Sequence, residues 1–129
     1  MSIELNHTII QAKNAETSAK FLAEMLDLPS PTPFGPFVVV KTSNHVSLDF
    51  RTTTEAIKPR HFAFLVSEQE FDEIFNRIIQ KNMMYWADPG RTEPQAINHN
   101  DGGRGCYFLD PDGHFLEIIT RPYGSSDEL

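Results

Sequence analysis

Residues 110–118 read Asp110-Pro111-Asp112-Gly113-His114-Phe115-Leu116-Glu117-Ile118, a tight turn running straight into a strand that carries an acid between apolar neighbours. Pro111 presets φ for a turn and Gly113 tolerates the backbone angles that close it, so segments 105–109 and 115–121 are expected to pair as a hairpin. Side chains alternate across a strand, which lets Leu116 and Ile118 pack under one face while Glu117 points to the other. A carboxylate in mid-strand is costly unless it is paired, hydrated or bound to a metal.

The same apolar-acid-apolar pattern occurs earlier, at Ser47-Leu48-Asp49-Phe50, with Glu117 following Asp49 by 68 positions. Two amphipathic helices are predicted further out, over 15–26 and 68–82. Asn14 is placed to cap the first, and Phe21, Leu22, Met25 and Leu26 recur along it at helical spacing. Ser67 and Glu70 form a capping box for the second, and Phe71, Ile74, Phe75 and Ile78 make one stripe, read as core. Each helix follows a strand, 3–11 and 60–66, that carries a histidine. His7 and His61 are 54 apart, as are Phe21 and Phe75, which points to a duplicated strand-helix-strands unit. The second copy is then 14 residues longer, and the polar stretch 88–103 is where that length fits. A Pro-rich turn at 29–36, a hairpin of 37–42 and 45–51 around Ser43-Asn44, and a short segment 83–87 complete the pattern.

The bulk composition narrows the function. The chain has 129 residues, 40% hydrophobic and 22% charged, with a net charge of −7, as expected of a soluble domain. No basic stripe is present, which argues against nucleic acid and against an anionic membrane surface. Cys106 is the only cysteine, so no intrachain disulfide can form, and it is expected to be buried and inert. With no signal-peptide pattern and no apolar run near 20 residues, a cytoplasmic protein is expected.

The duplication places one histidine early and one acid late in each half: His7 with Asp49, and His61 with Glu117. Imidazoles with carboxylates suit a divalent transition metal (Fe, Mn, Ni, Co or Zn), and two histidines with one carboxylate leave positions open for substrate. Each residue also has a plainer reading. Asn6 or Thr8 could satisfy His7, Arg121 or Arg60 could pair with Glu117, and Asp49 could face solvent near a strand end. Matched placement in both halves favours the metal site.

Leu5-Asn6-His7-Thr8, Arg60-His61-Phe62-Ala63-Phe64 and the 110–118 segment together resemble the vicinal-oxygen-chelate superfamily, which includes glyoxalase I, extradiol dioxygenases, fosfomycin-resistance thiol transferases and bleomycin-resistance proteins. The resemblance runs from about residue 3 to 123. It implies an α+β fold of tandem βαβββ modules forming an incomplete barrel around a metal site, with helices outside. The two halves would be about 3–55 and 58–123, in one domain over 1–124, followed by a flexible tail at 125–129. It also implies His7, His61 and Glu117 as metal ligands. Asp49 falls where glyoxalase I carries a fourth ligand, one methylene longer, so substrate binding or catalysis through water is the alternative. A homodimer acting on a small molecule with oxygens on adjacent atoms is expected, with Glu117 and Asp49 as catalytic carboxylates. The extra acid leans toward glyoxalase-like lyase or isomerase chemistry. An extradiol-type Fe(II) dioxygenase and a metal-free drug-binding protein are the alternatives.

The loop Asn98-His99-Asn100-Asp101-Gly102-Gly103-Arg104-Gly105 adds substrate-binding candidates: His99 as acid/base or plain loop residue, and Arg104 as a clamp for an anion. Tyr107 and Trp86 line an aromatic pocket or belong to the core, and His45 and His114 are expected at the surface.

Overall fold

The structure is a computed structural model that describes residues 2–128. Its elements are β1 (His7–Ala12), α1 (Ala15–Leu26), β2 (Thr32–Phe34), β3 (Phe37–Lys41), β4 (Ser47–Thr52), β5 (His61–Leu65), α2 (Glu68–Gln80), β6 (Tyr85–Trp86), β7 (Gly105–Leu109) and β8 (Phe115–Ile119). Short 3-10 turns lie at Asn100–Gly102 and Ser125–Glu128. The chain divides into two compact units, residues 1–58 and 59–129. Each is one βαβββ motif with a four-stranded sheet, ordered β1-β4-β3-β2 and β5-β8-β7-β6. The fold is therefore α+β and tandem.

In the first unit, Asn14 accepts a hydrogen bond from the Thr17 N–H, and α1 ends at Asp27 in the left-handed conformation, φ 54. Ala15, Ala19, Leu22, Ala23 and Met25 are buried on α1, which packs on β3, β4 and β1, where Ile10, Val40, Leu48 and Phe50 are buried too. Small side chains on the helix let it lie close to the sheet, and full burial of a side chain such as Phe50 contributes roughly 1.5–3 kcal/mol. β1 begins at His7, later than the expected residue 3, because its parallel partner β4 starts opposite it at Ser47. Ile3 and Leu5 stay exposed. The Pro-rich segment contains an unforeseen strand, β2, at the sheet edge, where the missing N–H of Pro33 disturbs no ladder.

In the second unit, Ser67 and Glu70 cap α2 reciprocally. The helix stops at Gln80, before the expected residue 82, and Asn82 takes a positive φ of 53. Phe71, Ile74 and Ile78 are buried on α2, and Cys106, Phe108, Leu116 and Ile118 on the sheet. Residues 88–103 form an ordered loop: Asp88 accepts from the Thr92 and Glu93 N–H groups, and isolated bridges join Trp86 to Pro94 and Asn98 to Gly105. A Cβ at Gly103 would meet Thr120 Oγ1 at 2.6 Å, so the close approach to the segment following β8 favours glycine there.

His114 corrects an expectation. Rather than lying at the surface it is 1% exposed, and its Nδ1 accepts the Arg60 N–H at 2.9 Å, tying the 110–114 turn to the start of β5. Burial pushes the Asp110 carboxyl up, although the His114 and Asp112 N–H groups it accepts pull the other way. Of the expected tail, Ser125 is buried and Ser126 donates to Asp101, while Leu129 lies outside the described residues. Among the described residues no helix is long and apolar enough to cross a membrane.

Candidate metal centre

Strand register decides which side chains meet. In the second sheet His61 lies opposite Phe115, while Glu117 stands between Ala63 on β5 and Tyr107 on β7, and Tyr107 lies opposite Trp86. Cross-strand partners share a face, as do residues two apart on one strand, so His61, Phe115, Glu117, Tyr107 and Trp86 lie on the same side. Glu117 is 0% exposed. One of its oxygens is 3.0 Å from His61 Nε2, and the other accepts from the Tyr123 hydroxyl. The Tyr107 and Tyr123 hydroxyls are 2.9 Å apart, and the Tyr107 ring stacks on His61 with centroids 5.8 Å apart. Burial, then the Tyr123 hydroxyl and the Glu117 carboxylate, push the Tyr107 hydroxyl well up. Desolvation and Glu117 push Tyr123 up as well.

The orientation of His61 matters most. Its Nδ1 faces the Phe115 carbonyl at 3.2 Å, which leaves Nε2 turned toward Glu117. A histidine anchored through Nδ1 to a backbone carbonyl is the arrangement that prepares Nε2 for a metal.

The first sheet repeats this register. His7 lies opposite Ser47 and Asp49 stands between Ile9 and Val39, so His7 and Asp49 share a face. His7 is exposed and its Nδ1 lies 2.7 Å from Asn6 Oδ1. Asp49 is 8% exposed and accepts from the Ser47 hydroxyl at 2.6 Å. The plainer readings thus divide. His7 does bond Asn6, but Asp49 is buried rather than solvent-facing, and Glu117 is bonded to His61 and Tyr123 rather than to an arginine. Among the described residues, no group of three or more His, Cys, Asp or Glu side chains gathers in a way that could hold a metal.

Arg104 stands apart from the second sheet's site. The register puts it on the Cys106 and Phe108 side of β7, and its guanidinium bonds Glu68 and Asp72 on α2 at 2.8 Å each while lying over Phe71. Strand parity, available in the sequence, separates it from Tyr107. His99 is exposed ahead of the 3-10 turn and its side chain caps nothing. Cys106 is buried on the helix-facing side, and burial pushes its thiol up to about 12. Tyr123 was not anticipated. It lies beyond the last strand and is brought back to Glu117 by a turn in which Asp101 accepts from the Gly124 and Ser126 N–H groups. No spacing rule in the sequence points to it.

A duplicated βαβββ fold with a buried acid facing a strand histidine defines a class, and the chain belongs to it: the glyoxalase/bleomycin resistance protein/dioxygenase superfamily, whose family model matches residues 4–118. Among solved structures it is similar to Oxidase ChaP-H1, with 57% identity and a TM-score of 0.94 over 95% of this chain and 99% of that one. Oxidase ChaP-H2 is 55% identical, with a TM-score of 0.94 over 98% of this chain and 99% of the other. A more distant relative is the glutathione transferase FosA of Serratia marcescens, 26% identical over 120 residues, 88% of this chain and 78% of that protein.

Proposed function

We propose that this protein is a metal-dependent enzyme of the superfamily that oxidises a small substrate bearing oxygens on adjacent atoms, with dioxygen as oxidant. His7, His61 and Glu117 are the proposed ligands. The observation that carries this reading is the matched placement of the two histidines: each opens the first strand of its sheet and holds Nδ1 against an oxygen acceptor, and in the second sheet Nε2 then faces Glu117. One imidazole and one fully buried carboxylate already adjoin at 3.0 Å, a donor pair that fits a divalent transition metal. When bound, such a metal supplies Lewis-acid and redox chemistry to two chelated oxygens. The protein's own part is to hold the His61 ring through Phe115, to keep the Glu117 charge beside it, and to support that carboxylate through Tyr123 and Tyr107. Asp49, tethered by Ser47, is proposed to bind substrate or accept its proton. Arg104, committed to α2, is assigned a structural role, and His99 is assigned none.

The expected lean toward lyase or isomerase chemistry gives way here to oxidation. The reason is the pair of relatives named oxidases, each more than half identical along nearly the whole chain. The test is elemental analysis of protein purified without chelator, followed by dioxygen uptake with catechols and 2-hydroxy ketones. About one metal per chain is expected, lost in Glu117→Gln. Equal metal content in wild type and Glu117→Gln, or none in either, would make the His61–Glu117 contact a structural ion pair. Mixing His7→Ala with Glu117→Gln chains then asks whether the ligand set is shared between two copies: recovered activity indicates a dimeric site, and no recovery a site within one chain.

A further inference from the structure

The second sheet carries a cation on the same face as Glu117 that the proposed ligand set does not use. Arg91 places its guanidinium carbon 4.9 Å from the Phe115 ring centroid and 5.9 Å from that of Trp86. Both rings lie on the Glu117 side, Phe115 two residues away on β8 and Trp86 next to Tyr107 across β6 and β7. Phe115 and Glu117 lie about 7 Å apart along β8, so the guanidinium sits over the ring next to the carboxylate on that face.

Arg91 is held there at a cost. Its φ is +57, a left-handed conformation that a side chain with a Cβ adopts reluctantly. The turn that imposes it is well tied. The Arg91 N–H donates to the Asp88 carbonyl, the Asp88 carboxylate accepts from the Thr92 N–H and hydroxyl and the Glu93 N–H, and the Ala87 N–H donates to the Glu93 carbonyl. A strained residue fixed at the tip of an over-determined turn is a reason to look for function. Arg91 is exposed, and among the described residues no carboxylate pairs with it, whereas Arg104 takes two, so its N–H fork is available to a ligand. Aromatic faces stabilise a guanidinium by cation–π attraction without consuming the N–H fork that matches a planar oxyanion.

We infer that Arg91 is a specificity-determining residue that binds an anionic oxygen group on the substrate, with Trp86 and Phe115 as the platform beneath it. The substrate class is therefore a flat, conjugated compound that carries an oxyanion, such as a carboxylate, in addition to its vicinal oxygens. This rests on the proposed chelating site, and two probes separate the two claims. Catechol offers vicinal oxygens alone, and 3,4-dihydroxybenzoate adds a carboxylate. Trp86 is the only tryptophan, so its fluorescence reports binding beside Arg91.

With metal-loaded protein, dihydroxybenzoate should bind at least about 10-fold tighter than catechol, an advantage that shrinks as salt is raised. Arg91→Ala should erase that advantage and leave catechol affinity unchanged, while Arg91→Lys keeps part of it. In metal-free protein, benzoate should quench Trp86 saturably, and Arg91→Ala should weaken this by a similar factor. If catechol binds but the carboxylate confers no advantage, or if Arg91→Ala retains the advantage, the Arg91 assignment is overturned and the chelating site stands. If benzoate binds through Arg91 but catechol does not bind metal-loaded protein, the chelating site fails and Arg91 stands. If no probe binds, both are overturned.

Discussion

The two units present the same diagonal on their sheets and put different chemistry on it. In each, a histidine at the start of the first strand is followed one step across by an acid on the last strand, His7 with Asp49 and His61 with Glu117. In the second unit the longer Glu117 reaches His61 Nε2 at 3.0 Å over the small Ala63. In the first, Ile9 holds the position of Ala63, and the shorter Asp49 turns to Ser47 at 2.6 Å while His7 turns to Asn6. One methylene and one neighbouring side chain thus separate a joined donor pair from two independently held ones. Duplication supplied the geometry, and divergence at Ile9/Ala63, Val39/Tyr107 and Asp49/Glu117 supplied the difference.

The sharpest way to break that comparison is to neutralise each acid in turn. Glu117→Gln removes a proposed ligand and should abolish metal retention and reduce activity by about 1,000-fold or more. Asp49→Asn should keep the metal and cost about 10–100-fold, the range of a group that supports the centre without coordinating it. Metal content and kcat of the two purified variants check this. Metal loss in Asp49→Asn would make the two halves equivalent and the asymmetry illusory.

A smaller effect separates the helix-facing sides. Cys106 on β7 faces Ile118 in register where Val38 on β3 faces Phe50. Burial, reinforced by Glu117, raises the Cys106 pKa to about 12 from an ordinary 9.0. The unfolded chain therefore ionises this thiol first. This group's contribution to stability is fully present below pH 9 and is lost as pH rises toward 12. Tyr107 and Tyr123, both raised, add losses of the same sign above about pH 10. Cys106→Val should remove the part that begins near 9, read by denaturant unfolding at a series of pH values. An unchanged slope between pH 9 and 10 would show that the thiol is not protected by burial.

Much of this comparison was legible in the sequence, for physical reasons. Helix caps and stripes act locally, so Asn14, Ser67 and Glu70 could be read from neighbours three residues away. The 54-residue offset between histidines and the 68-residue offset between acids are long-range facts, yet repetition made them visible. What was not legible needed register or tertiary closure. Arg104, a candidate by its loop position, lies by strand parity on the α2 side, where it bonds Glu68 and Asp72. His114 is buried because Arg60 donates to it across 54 residues, which no local pattern encodes. Tyr123 reaches Glu117, and Arg91 the Phe115 and Trp86 rings, from irregular segments whose paths are set by Asp101 and Asp88. Sequence periodicity says nothing about where such a loop returns.

The gentlest distinction between the halves lies at their helix starts. Ser67 accepts from the Glu70 N–H while the Glu70 carboxylate accepts from the Ser67 N–H, so one substitution disturbs two reciprocal bonds. Asn14 accepts only from the Thr17 N–H among the side-chain bonds of its cap, and the adjacent Ala15 N–H is met independently by Thr52 Oγ1 at 2.9 Å. That tie to the end of β4 keeps α1 anchored when its cap is lost. Ser67→Ala should therefore cost about 1–2 kcal/mol and Asn14→Ala about 0.5–1 kcal/mol. Urea midpoints of the two variants, compared at equal m-value, measure the difference. A larger loss for Asn14→Ala would mean that the Thr52 hydroxyl does not share the work of holding α1, and that the first helix depends on its cap more than the second.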